Sequence, residues 1–189
     1  AHGTKNSLIQ NNTIRNIAGN GIMGYIEIPL IHCSLPVYHG TSDSVLQVAV
    51  GHLSGTSLPV GGAGTHCVVS GHRGLPSAKL FTDLDRVEKG DTFQIVVLDQ
   101  ILTYQVDFIK VIEPTDISDL QIIDGGDYCT LFTCTPYGIN THRLCVRSTR
   151  VGTQDEATFI SAENEENTSQ SENSPAINDT QYYSGGRHR

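Results

Sequence analysis

Short runs of β-branched and aromatic residues, each closed by glycine, proline or asparagine, recur along most of this chain of 189 residues. Such runs are typical of β-strands, and the residues that close them favour turn geometry. The pattern predicts strands at residues 24–29, 35–40, 65–70, 93–98, 102–112, 127–133 and 142–149. Many short strands separated by turns predict a mainly-β domain, either a barrel or a sandwich, with one sizeable core.

Helical signals in the sequence are weak, and each covers few residues. We expect helical segments at residues 7–17, 42–48, 77–84 and 116–120. Ser42 or Asp43 can cap the second, because either side chain can accept a hydrogen bond from the free N–H groups of a first helical turn. In the third, Leu80, Phe81 and Leu84 fall on one apolar side. Helices this short connect strands and leave the β-structure dominant.

The composition argues against several classes of function. The net charge is −8, whereas a nucleic-acid-binding domain is usually basic. No apolar run reaches the roughly 18 residues expected of a membrane-spanning helix, and no signal peptide is visible. The glycine-rich loop at residues 55–64 lacks the Gly-Lys-Ser/Thr signature of a phosphate cradle, so nucleotide binding is not supported.

Changes in composition divide the chain into three segments. Residues 1–20 are polar, and residues 21–152 carry the predicted strands. Residues 153–189 are rich in Ser, Asn, Glu and Gln, and such a segment cannot bury enough apolar surface to offset its ordering entropy. We therefore predict a disordered acidic tail. An origin in a cloning vector is one explanation for its last residues, 184–189.

Candidate chemistry is concentrated where the last two predicted strands meet. Pro136, Gly138 and Asn140 break the strand pattern. A turn there can bring Cys134, at the end of one strand, next to Arg143, at the start of the next. A guanidinium close to a thiol favours the thiolate, which is the nucleophilic form. The same planar fork of donors can hold the oxyanion of a tetrahedral intermediate.

Acyl transfer also requires a proton shuttle, and histidine is the usual one. His72 follows the strand predicted at residues 65–70, so it is presented at a strand-to-loop boundary. His142 is a poorer candidate, because as the neighbour of Arg143 on a strand it should point to the opposite face. Plainer interpretations stay open, since a lone cysteine is often a small core residue and a lone histidine is often a satisfied polar one.

The remaining four cysteines fall inside apolar runs, where we expect them to be small buried residues: Cys33, Cys67, Cys129 and Cys145. Their total with Cys134 is odd, so at least one thiol is free of intrachain pairing, although one disulfide stays an alternative. Paired Cys-x-x-Cys spacing is absent, which disfavours a zinc ribbon. A weaker alternative is a metal site built from His66, Cys67, His142 or Cys145. We expect no metal and no cofactor.

Several motifs resemble those of sortases, the cysteine transpeptidases of Gram-positive cell surfaces. Thr130-Leu-Phe-Thr-Cys134 is similar to the Thr-Leu-x-Thr-Cys signature of that family, and residues 70–76, Ser-Gly-His-Arg-Gly-Leu-Pro, resemble its histidine motif. Residues 134–143, Cys-Thr-Pro-Tyr-Gly-Ile-Asn-Thr-His-Arg, resemble class C, the pilin-polymerising branch. Residues 51–62 and 79–84 also match class C patterns. The resemblance covers about residues 21–151.

The resemblance implies a closed β-barrel of about eight strands with short connecting helices. It also implies cleavage of a Leu-Pro-x-Thr-Gly-type sorting signal of a pilin or surface protein, through a thioacyl-enzyme, with transfer to a pilin lysine amine. Cys134 would then be the nucleophile and His72 the general acid and base. Arg143 would orient the substrate and stabilise the oxyanion, and Thr133 and His52 would lie beside the substrate.

Sortases are normally anchored in the membrane. The resemblance therefore implies anchors outside these 189 residues and a position on the outer face of the cytoplasmic membrane. Class C members commonly carry an N-terminal lid with an Asp-Pro-aromatic anchor, and no such motif occurs in this sequence before the first strand. A lid removed with the N-terminus and a lid absent from this member both stay open.

Other functions are compatible with the same residues. In a hydrolytic cysteine peptidase, water would replace the amine, and in a sortase of another class the acceptor would belong to the cell wall. In a non-catalytic β-barrel binding module, Cys134 would be inert. The residues alone do not separate transfer from hydrolysis, because the difference lies in which nucleophile reaches the acyl-enzyme.

Overall fold

The computed structural model describes residues 21–75 and 79–155, with side chains up to Thr153. The helix predicted at residues 7–17 and most of the predicted tail lie outside this part of the chain. The described strands are β1 (Ile22–Ile28), β2 (Cys33–His39), β3 (Val50–His52), β4 (Thr65–Ser70), β5 (Thr92–Val97), β6 (Gln100–Ile112), β7 (Asp127–Thr135) and β8 (His142–Asp155). They form a closed barrel in the order β1-β2-β3-β4-β7-β8-β6-β5. The prediction of a mainly-β closed barrel of about eight strands is confirmed.

Helical structure in the described residues is limited to single turns. One α-helix, α1, spans Asp43–Leu46, and 3-10 turns span Pro29–Ile31, Leu84–Arg86 and Ser118–Leu120. No helix of this part of the chain is long and apolar enough to cross a membrane. Ser42 is the residue before α1, but its side chain makes no capping hydrogen bond, and the helix ends at Leu46 rather than Val48.

The barrel interior is filled by alternate residues of the strands, because successive side chains of a strand point to opposite faces. Ile26, Val69, Leu131 and Val146 are fully buried members of this interior core. The interior-facing positions of β4, β7 and β8 are occupied by residues of the Val, Leu and Cys type, as their near-continuous apolar runs predict. A shift of β4, β7 or β8 by one residue would turn these apolar side chains out of the interior, so the core fixes the register of the three strands.

A second, smaller apolar cluster lies on the outer face of β4, β7 and β8. Its strand members alternate with the interior ones, and it consists of Val68, Ile112, Cys145, Leu120 and the half-buried Leu53 and Phe132. Leu120 belongs to the connection at residues 113–126, which leads from the end of β6 to the start of β7. The connection therefore crosses the outer face and shields it. β4, β7 and β8 are therefore covered on both faces, and the candidate catalytic residues lie at the ends of these strands.

A polar network closes the barrel at the end where β7 begins. The Tyr104 hydroxyl donates to Asp127 Oδ1 at 2.9 Å, and the Arg150 guanidinium donates to the Tyr104 oxygen at 3.2 Å. Gly62 N–H donates to Asp127 Oδ2 at 2.7 Å. A Cβ added to Gly61 would lie 2.6 Å from Arg150 Nη1, so a side chain at that position would push the guanidinium away from the Tyr104 oxygen. The network is structural and lies at the far end of β7 from Cys134.

Two features of the strands differ from the sequence prediction. β8 continues to Asp155, so the barrel extends three residues beyond the boundary predicted at residue 152. The reason is pairing with β6, whose first residues, Gln100 to Leu102, bond to Asp155 through Thr153. β3 was not predicted as a strand, because its three residues are too few to show a period.

The helix predicted at residues 77–84 is not formed in its described part. Residues 79–83 make turns, and a 3-10 turn follows at Leu84–Arg86. Tertiary hydrogen bonds replace the helical ones: Phe81 N–H donates to the carbonyl of His72 at 3.1 Å, and the carbonyl of Thr82 accepts from the Arg73 side chain. Apolar spacing alone did not reveal this competition for the backbone groups.

Candidate active site

Cys134 and Arg143 are direct partners in the antiparallel pair of β7 and β8. Side chains of directly opposite residues lie on the same face, with Cβ atoms about 4.5–5.5 Å apart. Alternation puts both on the outer face, since Phe132 and Cys145, two residues away on their strands, belong to the outer cluster. The pairing therefore places Cys134 and Arg143 opposite each other on one face, as their positions at matching strand ends predict.

His72 is carried to the same edge by the parallel pairing of β4 with β7. Ser70 pairs with Phe132, and Gly71 N–H continues the ladder by donating to the Phe132 carbonyl at 3.1 Å. His72, the residue after Gly71, therefore lies alongside Cys134 when the register is continued. Gly71 is required at this step, because a Cβ there would lie 2.7 Å from the Phe81 ring and 3.0 Å from Val50. His72 itself is half-buried.

Accessibility separates Cys134 from the other thiols. All five cysteines lie in the described residues and all are free, so none forms the alternative disulfide. Cys134 is half-exposed, whereas Cys33, Cys67, Cys129 and Cys145 are buried, as predicted from their apolar surroundings. A nucleophilic cysteine needs partial exposure in an electropositive setting.

Burial also keeps the thiols of three of these four cysteines protonated. Desolvation raises the pKa of Cys33 to about 11 and, with Asp119 nearby, that of Cys145 to about 12. A hydrogen bond with Cys67, followed by desolvation, raises the pKa of Cys129. Their thiolates are therefore scarce at neutral pH, which leaves them unsuited to nucleophilic attack.

The guanidinium of Arg143 is held by main-chain oxygens of its own loop. Its Nη1 donates to the Asn140 carbonyl at 3.1 Å and to the His142 carbonyl at 3.0 Å. Asn140 adopts a positive φ of 62°, a conformation that asparagine tolerates better than most residues. Among the ion pairs of the described residues, none includes Arg143. Its positive charge is therefore not neutralised by a carboxylate, and it is available to an anion at Cys134.

His142 lies on the other face of β8 from Arg143. Its Nε2 is 3.1 Å from a carboxylate oxygen of Glu113, and its Nδ1 is 2.9 Å from the Thr141 hydroxyl. Both partners are exposed, Thr141 in the β7–β8 loop and Glu113 directly after β6. This placement agrees with the strand alternation that made His142 the poorer candidate for proton transfer.

Direct substrate contact by Thr133 and His52, which the sequence predicted, does not agree with their burial. Thr133 is 1% exposed, and its hydroxyl donates to the Gly71 carbonyl at 2.7 Å. His52 is 2% exposed and lies in β3, with its ring stacked on His39 and its Nε2 3.0 Å from the Ser57 carbonyl. Thr133 belongs to the site as a support, because its hydrogen bond locks the residue before His72 to the residue before Cys134. His52 is packed into the fold.

His66 is also committed to structural contacts and does not form the metal site considered from the sequence. Its Nδ1 lies 2.9 Å from the Gln121 carbonyl, so it carries the proton and donates, and its Nε2 accepts from the Thr130 hydroxyl at 2.7 Å. Desolvation lowers the pKa of this buried ring. Within residues 21–75 and 79–155, no group of three or more His, Cys, Asp and Glu is arranged to hold a metal ion.

The outer apolar cluster is the part of the site that the sequence analysis missed. Phe132 and Val68 lie two residues before Cys134 and four before His72 on their strands, and the connection at residues 113–126 passes over them. Strand alternation would have placed Phe132 on the face of Cys134. The contact with Leu120 was not predictable, because it depends on the path of a long connection.

Comparison with known proteins gives the same picture. A family model of the sortase domain matches residues 26–151. Among curated proteins, sortase D of Bacillus subtilis (strain 168) is 30% identical over 139 residues, which are 72% of this chain and 67% of that protein. Among solved structures, sortase C1 from Streptococcus agalactiae is 54% identical with a TM-score of 0.74, covering 80% of this chain and 78% of that one. A pilus-related sortase C of Group B Streptococcus is 47% identical with a TM-score of 0.69, covering 70% and 69% of the two chains.

Fold and comparisons together first define a class, that of enzymes which transfer acyl groups through a cysteine. The family model covers well over half of the chain, and the similarity includes both strands that carry Cys134 and Arg143. The chain belongs to the sortase family, whose members are cysteine transpeptidases. It spans between 47% and 67% of the length of four curated relatives that it matches.

Proposed function

We propose that this chain is the catalytic barrel of a class C sortase, which polymerises pilins. The observation that carries the proposal is the pairing of Cys134 with Arg143 across β7 and β8, with His72 brought alongside by β4. The likeness to structures described as pilus-related and as sortase C supports the choice of class C. The substrates are then the sorting signal of a pilin or surface protein and the lysine amine of another pilin.

In the first half of the reaction, the Cys134 thiolate attacks the carbonyl carbon of the threonine in a Leu-Pro-x-Thr-Gly-type signal. Arg143 donates to the oxyanion of the tetrahedral intermediate, where its uncompensated charge is worth most. As the Thr–Gly C–N bond breaks, the imidazolium of His72 gives its proton to the leaving glycine amine. The products of this half are a thioester on Cys134 and the released C-terminal fragment.

In the second half, the lysine amine attacks the thioester carbonyl, and neutral His72 accepts the proton that the amine loses. Arg143 again holds the oxyanion, the C–S bond breaks, and an isopeptide bond joins the two proteins. The Cys134 thiolate and the His72 imidazolium are restored together, so no external oxidant, metal or cofactor is consumed. Water in place of the amine would give hydrolysis through the same groups.

The decisive assay incubates the protein with a sorting-signal peptide, with and without a peptide that carries the acceptor lysine. Class C activity predicts a cross-linked product with the acceptor lysine present and slow release of the acid without it. Cys134→Ala should remove both products, while the matched control Cys33→Ala, which removes a buried thiol, should retain them. Release of the acid at equal rates with and without the lysine peptide would indicate a hydrolytic peptidase. No turnover, with Cys134 alkylated no faster than in denatured protein, would indicate a non-catalytic barrel.

The cellular setting follows from the family. We propose that the whole protein is membrane-anchored and acts on the outer face of the cytoplasmic membrane of a Gram-positive bacterium. Pilin precursors would meet the enzyme there as they leave the membrane. Fractionation of cells that produce the whole protein, followed by protease treatment of intact protoplasts, tests this position. Protection of the barrel from external protease would contradict it.

A further inference from the structure

Arg73, the residue after His72, has more side-chain contacts than a surface arginine requires. Its side chain is 8% exposed. Nε donates to the Thr82 carbonyl at 3.1 Å, Nη2 pairs with the Asp85 carboxylate, and Nη1 lies 3.5 Å from the Thr135 hydroxyl. The three nitrogens of the guanidinium therefore point at three different groups. The first two belong to residues 82–85, and the third is the neighbour of Cys134.

Tyr137 extends this contact along the β7–β8 loop. Its ring lies 5.9 Å from the Arg73 guanidinium carbon, within range of a cation–π contact. A Cβ added to Gly74 would lie 2.9 Å from the same ring, so the tyrosine packs directly on the backbone after His72. The loop that follows the nucleophile therefore rests on the loop that follows the histidine, and Arg73 lies between them.

The backbone around Arg73 is fixed on the other side by residues 81–82. Phe81 N–H donates to the His72 carbonyl at 3.1 Å, and Gly74 N–H donates to the Thr82 hydroxyl at 3.2 Å. These bonds hold the main chain of the His72 loop, but they do not reach the Cys134 strand. The strands themselves are joined by the hydrogen bonds of Gly71 with Phe132 and Thr133. Beyond those bonds, the described contacts between the two loops are those of Arg73 and Gly74 with Thr135 and Tyr137.

We propose that Arg73 is a positioning residue, which sets the distance and orientation of His72 relative to Cys134. It does so by tying the backbone after His72 both to Thr82 and Asp85 and to the loop after Cys134. Asp85 is 52% exposed, so its ion pair adds little to global stability, and the contribution of Arg73 lies in orientation. Lysine cannot replace it, because a single ammonium cannot serve three groups in a planar fork. This role rests on the proposed function, in which His72 transfers protons for Cys134.

The test compares Arg73→Met, which keeps the apolar stem, with Arg73→Lys and with the control Arg86→Met. Arg86 is an exposed arginine of the adjacent 3-10 turn, so its loss changes the charge by the same amount. Each variant is measured for kcat and KM with the sorting peptide, for Tm, and for the pH midpoint of Cys134 alkylation by iodoacetamide. The four buried thiols react slowly in folded protein and do not obscure the signal.

We expect Arg73→Met to lower kcat on the order of 10²-fold with KM unchanged, the loss typical of a displaced catalytic group. The pH dependence of alkylation should also differ from that of the wild type, because a displaced imidazolium no longer faces the thiolate. Arg73→Lys should lose about tenfold in kcat, a loss smaller than that of Arg73→Met, because lysine keeps the charge near Asp85. Arg86→Met should match the wild type in every measurement.

The results that overturn the proposal are distinct from those that overturn the function. If the wild type turns over and Arg73→Met keeps its kcat and pH midpoint, Arg73 does not position His72, and the proposed function stands. A fall in Tm with normal kcat per folded molecule would likewise reduce Arg73 to a structural residue. If Arg73→Met does not fold, Arg73→Lys with unchanged kcat and pH midpoint overturns the proposal. If the wild type forms no acyl-enzyme, the proposed function itself fails.

Discussion

Replacing Arg143 with lysine tests the oxyanion role while keeping the positive charge beside Cys134. In the structure, Nη1 is occupied by the Asn140 and His142 carbonyls at 3.1 and 3.0 Å. The described hydrogen bonds of Arg143 leave the rest of the fork for an oxyanion. A lysine has one ammonium group, which cannot hold these carbonyls and reach an oxyanion in the same geometry. The change therefore removes about one oxyanion donor.

Loss of one such donor costs roughly 10²–10³ in turnover, or about 2.7–4 kcal/mol of transition-state stabilisation. We expect Arg143→Lys to lower kcat by that factor. The fold should survive, because the two lost hydrogen bonds lie at a half-exposed loop and contribute on the order of 1 kcal/mol each. Cys134 should remain reactive to iodoacetamide, since the charge that favours the thiolate is kept.

The assay is single-turnover acylation by the sorting peptide, followed by intact mass and normalised to the folded fraction. The matched control is Arg147→Lys, on the same strand and four residues away, where the fork binds Asp107 through Nε and Nη2. That variant should lose some stability and keep its acylation rate. If Arg143→Lys acylates as fast as the control, Arg143 acts as a diffuse charge, and the oxyanion donors lie in the backbone near Cys134.

Three further predictions concern stability. Removing residues 156–189, which have no core-forming periodicity, should leave Tm and cleavage unchanged. Truncation after Gly152 also removes the residues from Thr153 to Asp155 that pair with β6, and it should lower Tm by several degrees. Burial lowers the pKa of His66, so near pH 6 the folded state binds fewer protons than the unfolded state. The free energy of unfolding should therefore be constant above pH 6.5 and decrease as the pH is lowered further, by up to about 1.4 kcal/mol per pH unit. In His66→Gln this decrease should be smaller. Gly61→Ala and Gly64→Ala both place a side chain at positive φ, but of these two positions only the Cβ at residue 61 would meet Arg150 Nη1 and displace it from Tyr104. Urea unfolding should therefore show an extra loss of about 1 kcal/mol for Gly61→Ala, and equal losses would contradict the packing of that loop.

Strand content and the edge of the site could be predicted because they depend on local signals. β4 begins and ends where the apolar run at residues 65–70 does, and β7 and β8 contain the two predicted runs that flank the turn. Antiparallel strands joined by a short turn set their own register, so the meeting of Cys134 with Arg143 followed from the sequence. The resemblance to sortases supplied the closed barrel, which strand spacing alone left open.

The remaining features depend on contacts between distant segments. The approach of His72 to Cys134 rests on parallel pairing of β4 with β7, and parallel strands carry no local turn that fixes their neighbour. The failure of the predicted helix at residues 77–84 has the same origin, because Phe81 and Thr82 bond to the His72 loop. Burial of Thr133 and His52 was missed because a single sequence does not show whether a polar side chain already has a partner inside the fold.

The most direct test of the account is the mass of the enzyme after rapid mixing with a sorting-signal peptide and quenching in acid. The account predicts an added mass equal to the peptide up to and including its threonine, and digestion should locate it on the peptide that contains Cys134. Hydroxylamine should release it, as expected of a thioester, and addition of the lysine peptide before the quench should make it disappear as the cross-linked product forms. Turnover of the peptide with no such adduct, or an adduct on another residue, would contradict the assignment of Cys134 as the nucleophile.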